Sequence, residues 1–381
     1  YMQSKISVLQ VIPQLDVSGA SQGCVDIAEA LIRNSYLSYI VTASGIKVDQ
    51  VKKQGVKVII LPVNSKNPVT IILNIFRLSK IIKDNKINIV HVRSRAPAWS
   101  SYFACKITNV KFISTFHGTY NFNNFLKKLY NSIMLRTDGT IAISKFINNH
   151  IHQNYSTKPL HLKTITRGID INFFNPKLIS QSEIHKALDE LNLKKESIKI
   201  LLPGRLTRWK GHSILIKAIA NLLKSHQFDI QVLFFGPEDN QKLKNETVKE
   251  IHSYNLENIV KFYGPSKQMN LIYGLSDIVI SSSTDPEAFG RISIEAQAMG
   301  KYIIASNHGG SQETVIEGKT GSLYSPLSHK ELSATILDVI KNLKYKSDSV
   351  FDSAIDNVAK NYTKESMCKS TLNFYEEILN Y

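Results

Sequence analysis

Eleven short runs rich in β-branched residues, most of them separated by helical patterns, constrain this chain more tightly than any other feature. Six fall in the first half: ISVLQVI (6–12), YIVTA (39–43), VKVIIL (56–61), INIVHV (87–92), KFISTF (111–116) and GTIAIS (139–144). After the first of them, Val25, Ala28 and Ile32 recur at helical spacing and define one apolar face. Strand–helix alternation of this kind gives a parallel sheet covered on both faces. The rhythm breaks over residues 171–197, a polar and charged stretch containing Pro176. It resumes with IKILLP (198–203), IQVLFF (230–235), NIVKFY (258–263), DIVISS (277–282) and KYIIAS (301–306). The expected fold class is therefore α/β, with two Rossmann-like doubly wound domains at 1–175 and 198–362 and a junction at 176–197. A closing helix at 363–381, with Leu372, Tyr375 and Leu379 on one face, is expected to pack at that junction. Two such domains meeting along their strand carboxyl ends would face each other across a deep cleft, where ligands of open α/β sheets bind. A length of 381 residues suits two domains.

Composition narrows the setting. Cys24, Cys105 and Cys368 are scattered and odd in number, which argues for a reducing compartment and against a zinc or disulfide frame. No run approaches 18 apolar residues, and the amino end lacks the apolar core of a signal peptide; Tyr1 ahead of Met2 reads as an added residue. The expected location is cytoplasmic. The net charge of +16 lies wholly in residues 1–182, which hold 23 Lys/Arg against 7 Asp/Glu, whereas residues 183–381 hold 24 of each. Between 50 and 137, 15 basic residues face one acid, Asp84. Such asymmetry points to an anionic partner for the first domain, against the plainer reading of a solvated basic surface.

Two segments of the second half bear chemistry. In PGRLTRWKG (203–211), Arg205 and Lys210 sit between a strand end and a helix amino terminus, a setting suited to a diphosphate, although basic residues are also common in ordinary βα loops. In DPEAFGRISIEAQAMG (285–300), Glu287 lies in a turn, and Glu295 lies one turn into the following helix. Phe289, Gly290 and Arg291 offer backbone N–H groups between them, with Gly290 allowing close approach of a phosphate. Carboxylates beside a phosphate suit sugar hydroxyls, which are donors needing fixed acceptors. The plainer reading is two surface or capping glutamates.

These two strings, followed by HGGSQETV (308–315) and GKTGSLY (318–324), resemble the family 4 glycosyltransferases, retaining nucleotide-sugar enzymes of the GT-B fold. The likeness is closest to bacterial enzymes of lipopolysaccharide and capsule assembly. It spans the chain, weakly before residue 90 and strongly after 165, where TRGIDINFFNP (166–176) also matches. The resemblance implies that Glu287 binds hydroxyls of a transferred hexose and Glu295 the nucleotide ribose. Arg205, Lys210 and the amides near Phe289, Gly290 and Arg291 would hold the diphosphate. His117, in STFHGTYN, matches the family's histidine beside the transferred sugar, so that His117 and Glu287 are the implied catalytic pair. Gly19, in DVSGASQGCVD, matches the glycine loop of the first domain. The family's paired glycines read Ser18–Gly19 here, its following acid is Ser21, and its usual Asn-Gly is Arg167–Gly168. These departures bear on acceptor geometry more than on donor binding.

No Asp-x-Asp pair is present to hold a metal on a diphosphate, so Arg205, Lys210 and a helix amino terminus are expected to stabilise the leaving group without a metal or other cofactor. The resemblance implies front-face attack in which the leaving phosphate accepts the acceptor's proton. The basic first domain then reads as the side of a glycan or lipid-linked acceptor. In FNNFLKKLYNSIMLR (122–136), Phe122, Phe125, Leu129 and Ile133 form a helical stripe beside Lys127, Lys128 and Arg136. Such a helix could lie peripherally on the anionic inner face of the cytoplasmic membrane, or pack into a core. Other readings are a GT-B epimerase or phosphorylase, or a catalytically silent homologue. A nucleic-acid binder is disfavoured, because no binding motif is recognisable and the donor-type residues would go unused.

Overall fold

The computed structural model describes residues 6–120, 124–342 and 348–380, and side chains throughout these except at 348–350. The chain divides into two compact units, one of Tyr1–Gly168 with Lys364–Tyr381 and one of Ile169–Thr363.

The sheet of the first unit contains β1 (Ser7–Val11), β2 (Leu37–Thr42), β3 (Lys57–Ile60), β4 (Ile89–Val92), β5 (Lys111–Phe116), β6 (Gly139–Ala142) and β7 (His161–Thr164), in the order β3-β2-β1-β4-β5-β6-β7. Every pairing is parallel. The second sheet contains β8 (Ile198–Pro203), β9 (Ile230–Phe235), β10 (Val260–Tyr263), β11 (Ile278–Ser281), β12 (Tyr302–Ser306) and β13 (Gly321–Tyr324), in the order β10-β9-β8-β11-β12-β13, again parallel. Each of the eleven expected runs overlaps one strand. The two strands that the sequence did not signal, β7 and β13, close one edge of each sheet. Their segments HLKT and GSLY carry few apolar residues, since an edge strand is covered less completely than a central one. Both orders reverse beside the first strand, which places topological switch points between β1 and β4 and between β8 and β11.

The boundary between units falls after Gly168, earlier than the expected domain end at 175. Ile169 bridges Thr363, and its N–H donates to the Tyr362 carbonyl at 3.0 Å. The expected junction contains a helix, Gln181–Glu190, begun by a capping box in which Ser180 and Glu183 satisfy each other's backbone N–H groups. The closing helix, Lys364–Asn380, belongs to the core of the first unit, not to a junction. Met367, Leu372, Phe374, Tyr375 and Ile378 pack with Val8, Ile27, Ile89, Ile113 and Ile141. Burial of each such side chain stabilises the unit by roughly 1.5–3 kcal/mol.

The stripe expected over 122–136 is only partly formed. Phe122 lies outside the described residues. The helix runs from Phe125 to Asn131, and a 3-10 turn, Ser132–Leu135, then carries Ile133 into full burial. Ile133 therefore leaves the face on which Phe125 and Leu126 remain exposed, at 77% and 73%.

Candidate active site

At the carboxyl end of β8 the chain passes through Gly204 and Arg205, makes a single 3-10 turn, Arg208–Lys210, and enters the helix His212–Ser225. Gly211 at that entry has φ +73°, and a Cβ there would lie 1.8 Å from the Ser282 carbonyl oxygen. Only glycine lets this loop lie against the loop that follows β11. The close approach brings their charged side chains together. Lys210 Nζ donates to Glu287 Oε1 at 2.5 Å, with the two side chains 14% and 15% exposed. Ser283 Oγ donates to the same oxygen at 2.6 Å, and the Lys210 ammonium lies 4.3 Å from the centre of the Trp209 ring. Because both donors use Oε1, Oε2 of Glu287 is left to accept from a ligand hydroxyl.

The backbone around Glu287 is shaped by HGG, residues 308–310. The Gly310 N–H donates to the Glu287 carbonyl at 2.7 Å, and His308 Nε2 lies 2.9 Å from the Ser283 carbonyl oxygen. A Cβ at Gly310 would meet the backbone of Phe289 at 2.4 Å.

The helix Arg291–Ala298 begins at Gly290, where φ is +86°, a left-handed conformation that disfavours any side chain. Glu295, one turn in, is 9% exposed. Its Oε2 accepts from Tyr273 Oη at 2.8 Å and its Oε1 pairs with Arg291 Nε at 2.7 Å. Burial, reinforced by Glu295 itself, pushes the Tyr273 hydroxyl well above its ordinary range, so it stays a proton donor. Glu295 is thus held rigid at the edge of solvent by two donors, an arrangement suited to presenting a fixed acceptor to paired hydroxyls.

The structure brings Lys210 and Glu287 into direct contact and sets Glu295 in a separate network with Arg291. Arg205 is more exposed and pairs with Asp239. Phe289 is buried edge-on against Tyr362, 5.7 Å between centroids, so it can offer a ligand only its backbone.

In the first unit, His117 follows β5, and its Nε2 is buried without a hydrogen-bond partner. Burial first, then Arg167 and Arg93, hold the imidazole well below its ordinary range and keep it neutral. Gly19 opens the helix Gly19–Arg33, capped by Ser18 Oγ, which accepts from the Ser21 N–H at 3.1 Å. A Cβ at Gly19 would meet nothing within 4 Å, whereas one at Gly23 would strike the Arg167 guanidinium. Arg167 also donates to the Gly19 carbonyl. Ser21 Oγ donates to the Gln14 carbonyl at 3.1 Å and accepts from the Asp16 N–H at 3.1 Å. The serines that replace the family's glycine and acid therefore brace this loop internally.

Sequence reasoning passed over Tyr273, Ser283 and the pair Gly309–Gly310. Tyr273 meets Glu295 from a separate helix, and no local spacing announces such a contact. Among the described residues, no group of three His, Cys, Asp or Glu side chains is placed to hold a metal ion.

A family model described as glycosyl transferases group 1 matches residues 183–352, and one described as glycosyltransferase family 4 matches residues 17–173. The crystal structure of a glycosyltransferase from Rickettsia africae ESF-5 is 35% identical, with a TM-score of 0.91 over 99% of each chain. The HepE protein of Anabaena, solved in complex with UDP and glucose, shares the fold at 21% identity and a TM-score of 0.84, over 97% of this chain and 99% of that one. Spore coat protein SA of Bacillus subtilis is 24% identical over 307 residues, 78% of this chain and 80% of that protein. The chain spans 38% and 63% of the next two curated relatives. With a model matched in each half and a relative of known structure at 35% identity over nearly its whole length, this chain belongs to the family 4 glycosyltransferases and has their GT-B fold.

Proposed function

We propose that this glycosyltransferase moves a hexose from a nucleoside-diphosphate sugar to a glycan or lipid-linked acceptor in bacterial lipopolysaccharide or capsule assembly, with retention and without a metal. The observation that supports it most is the half-dry Lys210–Glu287 pair at the switch point of the second sheet, with Glu295 held separately nearby in sequence. Negative charge grows on the leaving diphosphate as the glycosidic bond breaks. Lys210, Arg205 and the N–H groups at the start of the helix Arg291–Ala298 are preorganised to stabilise that charge. Glu287 Oε2 accepts from the hexose, Glu295 from the ribose, and neutral His117 polarises the transferred sugar without adding charge. The leaving phosphate takes the acceptor's proton. The UDP and glucose bound by HepE make UDP the first nucleotide to test.

The test is a transfer assay with UDP- and GDP-hexoses and envelope glycolipid extracts, followed by NMR of the product anomer with and without chelator. A product of inverted configuration, or activity abolished by chelator and restored by magnesium, contradicts the mechanism. An altered donor formed without acceptor indicates an epimerase, and a requirement for inorganic phosphate indicates a phosphorylase.

We also propose that the first unit rests on an anionic membrane. On the helix Pro68–Asp84, Val69, Ile72, Leu73 and Phe76 are 64%, 54%, 47% and 65% exposed, an apolar stripe at helical spacing with Arg77, Lys80 and Lys83 exposed beside it. Phe125, Leu126 and Lys127 add a second exposed patch. Sedimentation with anionic vesicles that falls several-fold in Phe76→Asp is the expected outcome; no binding by the unaltered chain at low salt removes the proposal.

A further inference from the structure

Parallel sheets carry their ligands at the carboxyl ends of the strands, yet the first unit has a cavity of about 530 Å³ at the opposite end of its sheet. Its walls are the three segments that enter β5, β6 and β7, at 109–112, 135–138 and 157–160, together with the last turns of the helix Arg95–Thr108. Lys111 opens β5 and His117 follows it, so a six-residue strand separates the cavity from the loop that carries the histidine. The volume falls in the range of ordinary small-molecule sites, about 300–1,000 Å³.

Four cations line the cavity, Lys106, Lys111, Arg136 and Lys158, against one acid, Asp138. That acid is already engaged: its Oδ2 accepts from the Phe112 N–H at 2.7 Å, and no cation pairs with it among the described residues. Lys158 Nζ donates to the Ile151 and His152 carbonyls at 3.2 and 3.0 Å, near the end of the helix Lys145–Asn154, which uses two of its three donors. The side chains of Lys106, Lys111 and Arg136 make no ion pair and no hydrogen bond among the described residues. Like charges gathered around one cavity repel, and an anion placed between them turns that repulsion into attraction. On a solvated basic face the cations stand apart; these converge, and three neutral polar groups converge with them. Tyr102 Oη, the Asn109 side-chain amide and Thr157 Oγ1 line the same cavity and make no hydrogen bond among the described residues. The cations suit the charged oxygens of a phosphate, whereas hydroxyls and an amide, which both donate and accept, suit the hydroxyls of a polyol.

We propose that this cavity is a second ligand site that takes the phosphate ester of a polyol, with Lys106, Lys111 and Arg136 on the phosphate and Tyr102, Asn109 and Thr157 on the hydroxyls. It stands apart from the donor site, because every residue that lines it belongs to the first unit. Leu160 also lines it and is 75% exposed, so two sources share this chemistry: a free polyol phosphate, and a lipid headgroup whose chain rests on that leucine.

The experiment is calorimetric titration of the full chain with glycerol 3-phosphate, glucose 1-phosphate and inorganic phosphate, alone and with UDP in excess, beside sedimentation with phosphatidylglycerol vesicles. The expected result is that an ester binds more tightly than inorganic phosphate, is not displaced by UDP, and weakens by roughly tenfold in Arg136→Gln and in Lys111→Gln. Arg136 is exposed and Lys111 half-buried, so both variants are expected to melt as the unaltered chain does. Tyr102→Phe, which removes only a hydroxyl, weakens the ester and leaves inorganic phosphate unaffected. Lys53→Gln, which removes an exposed charge from the helix Val48–Lys53, alters neither. Vesicle binding that requires Arg136 and is competed by glycerol 3-phosphate assigns the lipid source; a bound ester without such vesicle binding assigns the soluble one. Displacement by UDP places the ester in the donor site and overturns the proposal. So does an equal loss in Lys53→Gln, an ester bound no better than inorganic phosphate, or a folded chain that binds neither esters nor vesicles through Arg136.

Discussion

In the second unit Lys210 meets Glu287, Arg291 meets Glu295, Arg205 meets Asp239 and Arg208 meets Glu246, so each of these loop cations has an acid of the same unit beside it. In the first unit Arg93 donates to Gln10 and Arg95 to Asn131, and neither forms a salt bridge among the described residues. The contrast extends to the whole units. The first holds 24 Lys/Arg against 9 Asp/Glu, and the second 23 against 22. Two sheets of nearly the same strand order therefore present opposite electrostatic problems at their carboxyl ends. The second unit neutralises its own site, which fixes carboxylates in place before a ligand arrives. The first leaves positive charge uncompensated, which favours an anion from outside the chain.

Removing the central contact of the neutralised site has the largest expected effect. Lys210→Ala deletes the charge proposed to stabilise the leaving group and strands Glu287 in a half-dry loop, so kcat/KM is expected to fall on the order of 10²–10³, measured in the transfer assay. A fall of less than tenfold would mean that the pair is structural and the charge is stabilised elsewhere.

Next in size is a pH effect in the second unit. Burial, aided by Lys210, lowers His212 from 6.5 to about 4, so the folded chain resists a proton that the unfolded chain accepts. Stability is then unaffected above pH 6.5 and falls as the pH drops from 6.5 toward 4, by up to about 3 kcal/mol. Denaturant titration at a series of pH values measures it. His212→Phe, which keeps the packing against Phe234 at 4.8 Å, is expected to flatten that part of the curve. An unchanged curve would place the acid sensitivity in other groups.

How much of this was legible in the sequence differs between the two units. In the second, the string that holds Glu287, Gly290 and Glu295 is local, and a turn followed by a helix fixes where each acid lies. Spacing was enough to set Glu287 in the turn and Glu295 one turn into the helix. What completes the site is long-range. Tyr273 reaches Glu295 from 22 residues away, and the Gly309–Gly310 backbone braces Glu287 through contacts that no periodicity encodes. In the first unit the charge excess was plain from composition, but its concentration was not. Arg93 was silent because a basic residue after a β-branched run reads as solvated, and only the fold shows it 3% exposed against Gln10. The fate of the closing helix was half readable. Its apolar face was evident, but which unit it covers depends on partners such as Val8 and Ile113 that lie far away in sequence.

The smallest of the graded effects concerns the donor network. Tyr273→Phe removes one of two donors to Glu295 and is expected to cost about 1–2 kcal/mol of stability, by thermal melting, with a several-fold loss of nucleotide affinity. Loss of stability with unaltered affinity would separate the tyrosine from binding.

The central claim is that the carboxyl end of the second sheet binds a nucleoside diphosphate through Glu295. Calorimetric titration of UDP, GDP, ADP and CMP into the unaltered chain and into Glu295→Ala tests it most directly. Selective binding of one nucleoside diphosphate, weakened at least tenfold by the substitution in a chain that still folds, is the predicted result. Equal affinity in both chains, or no nucleotide binding by the folded unaltered chain, would contradict it.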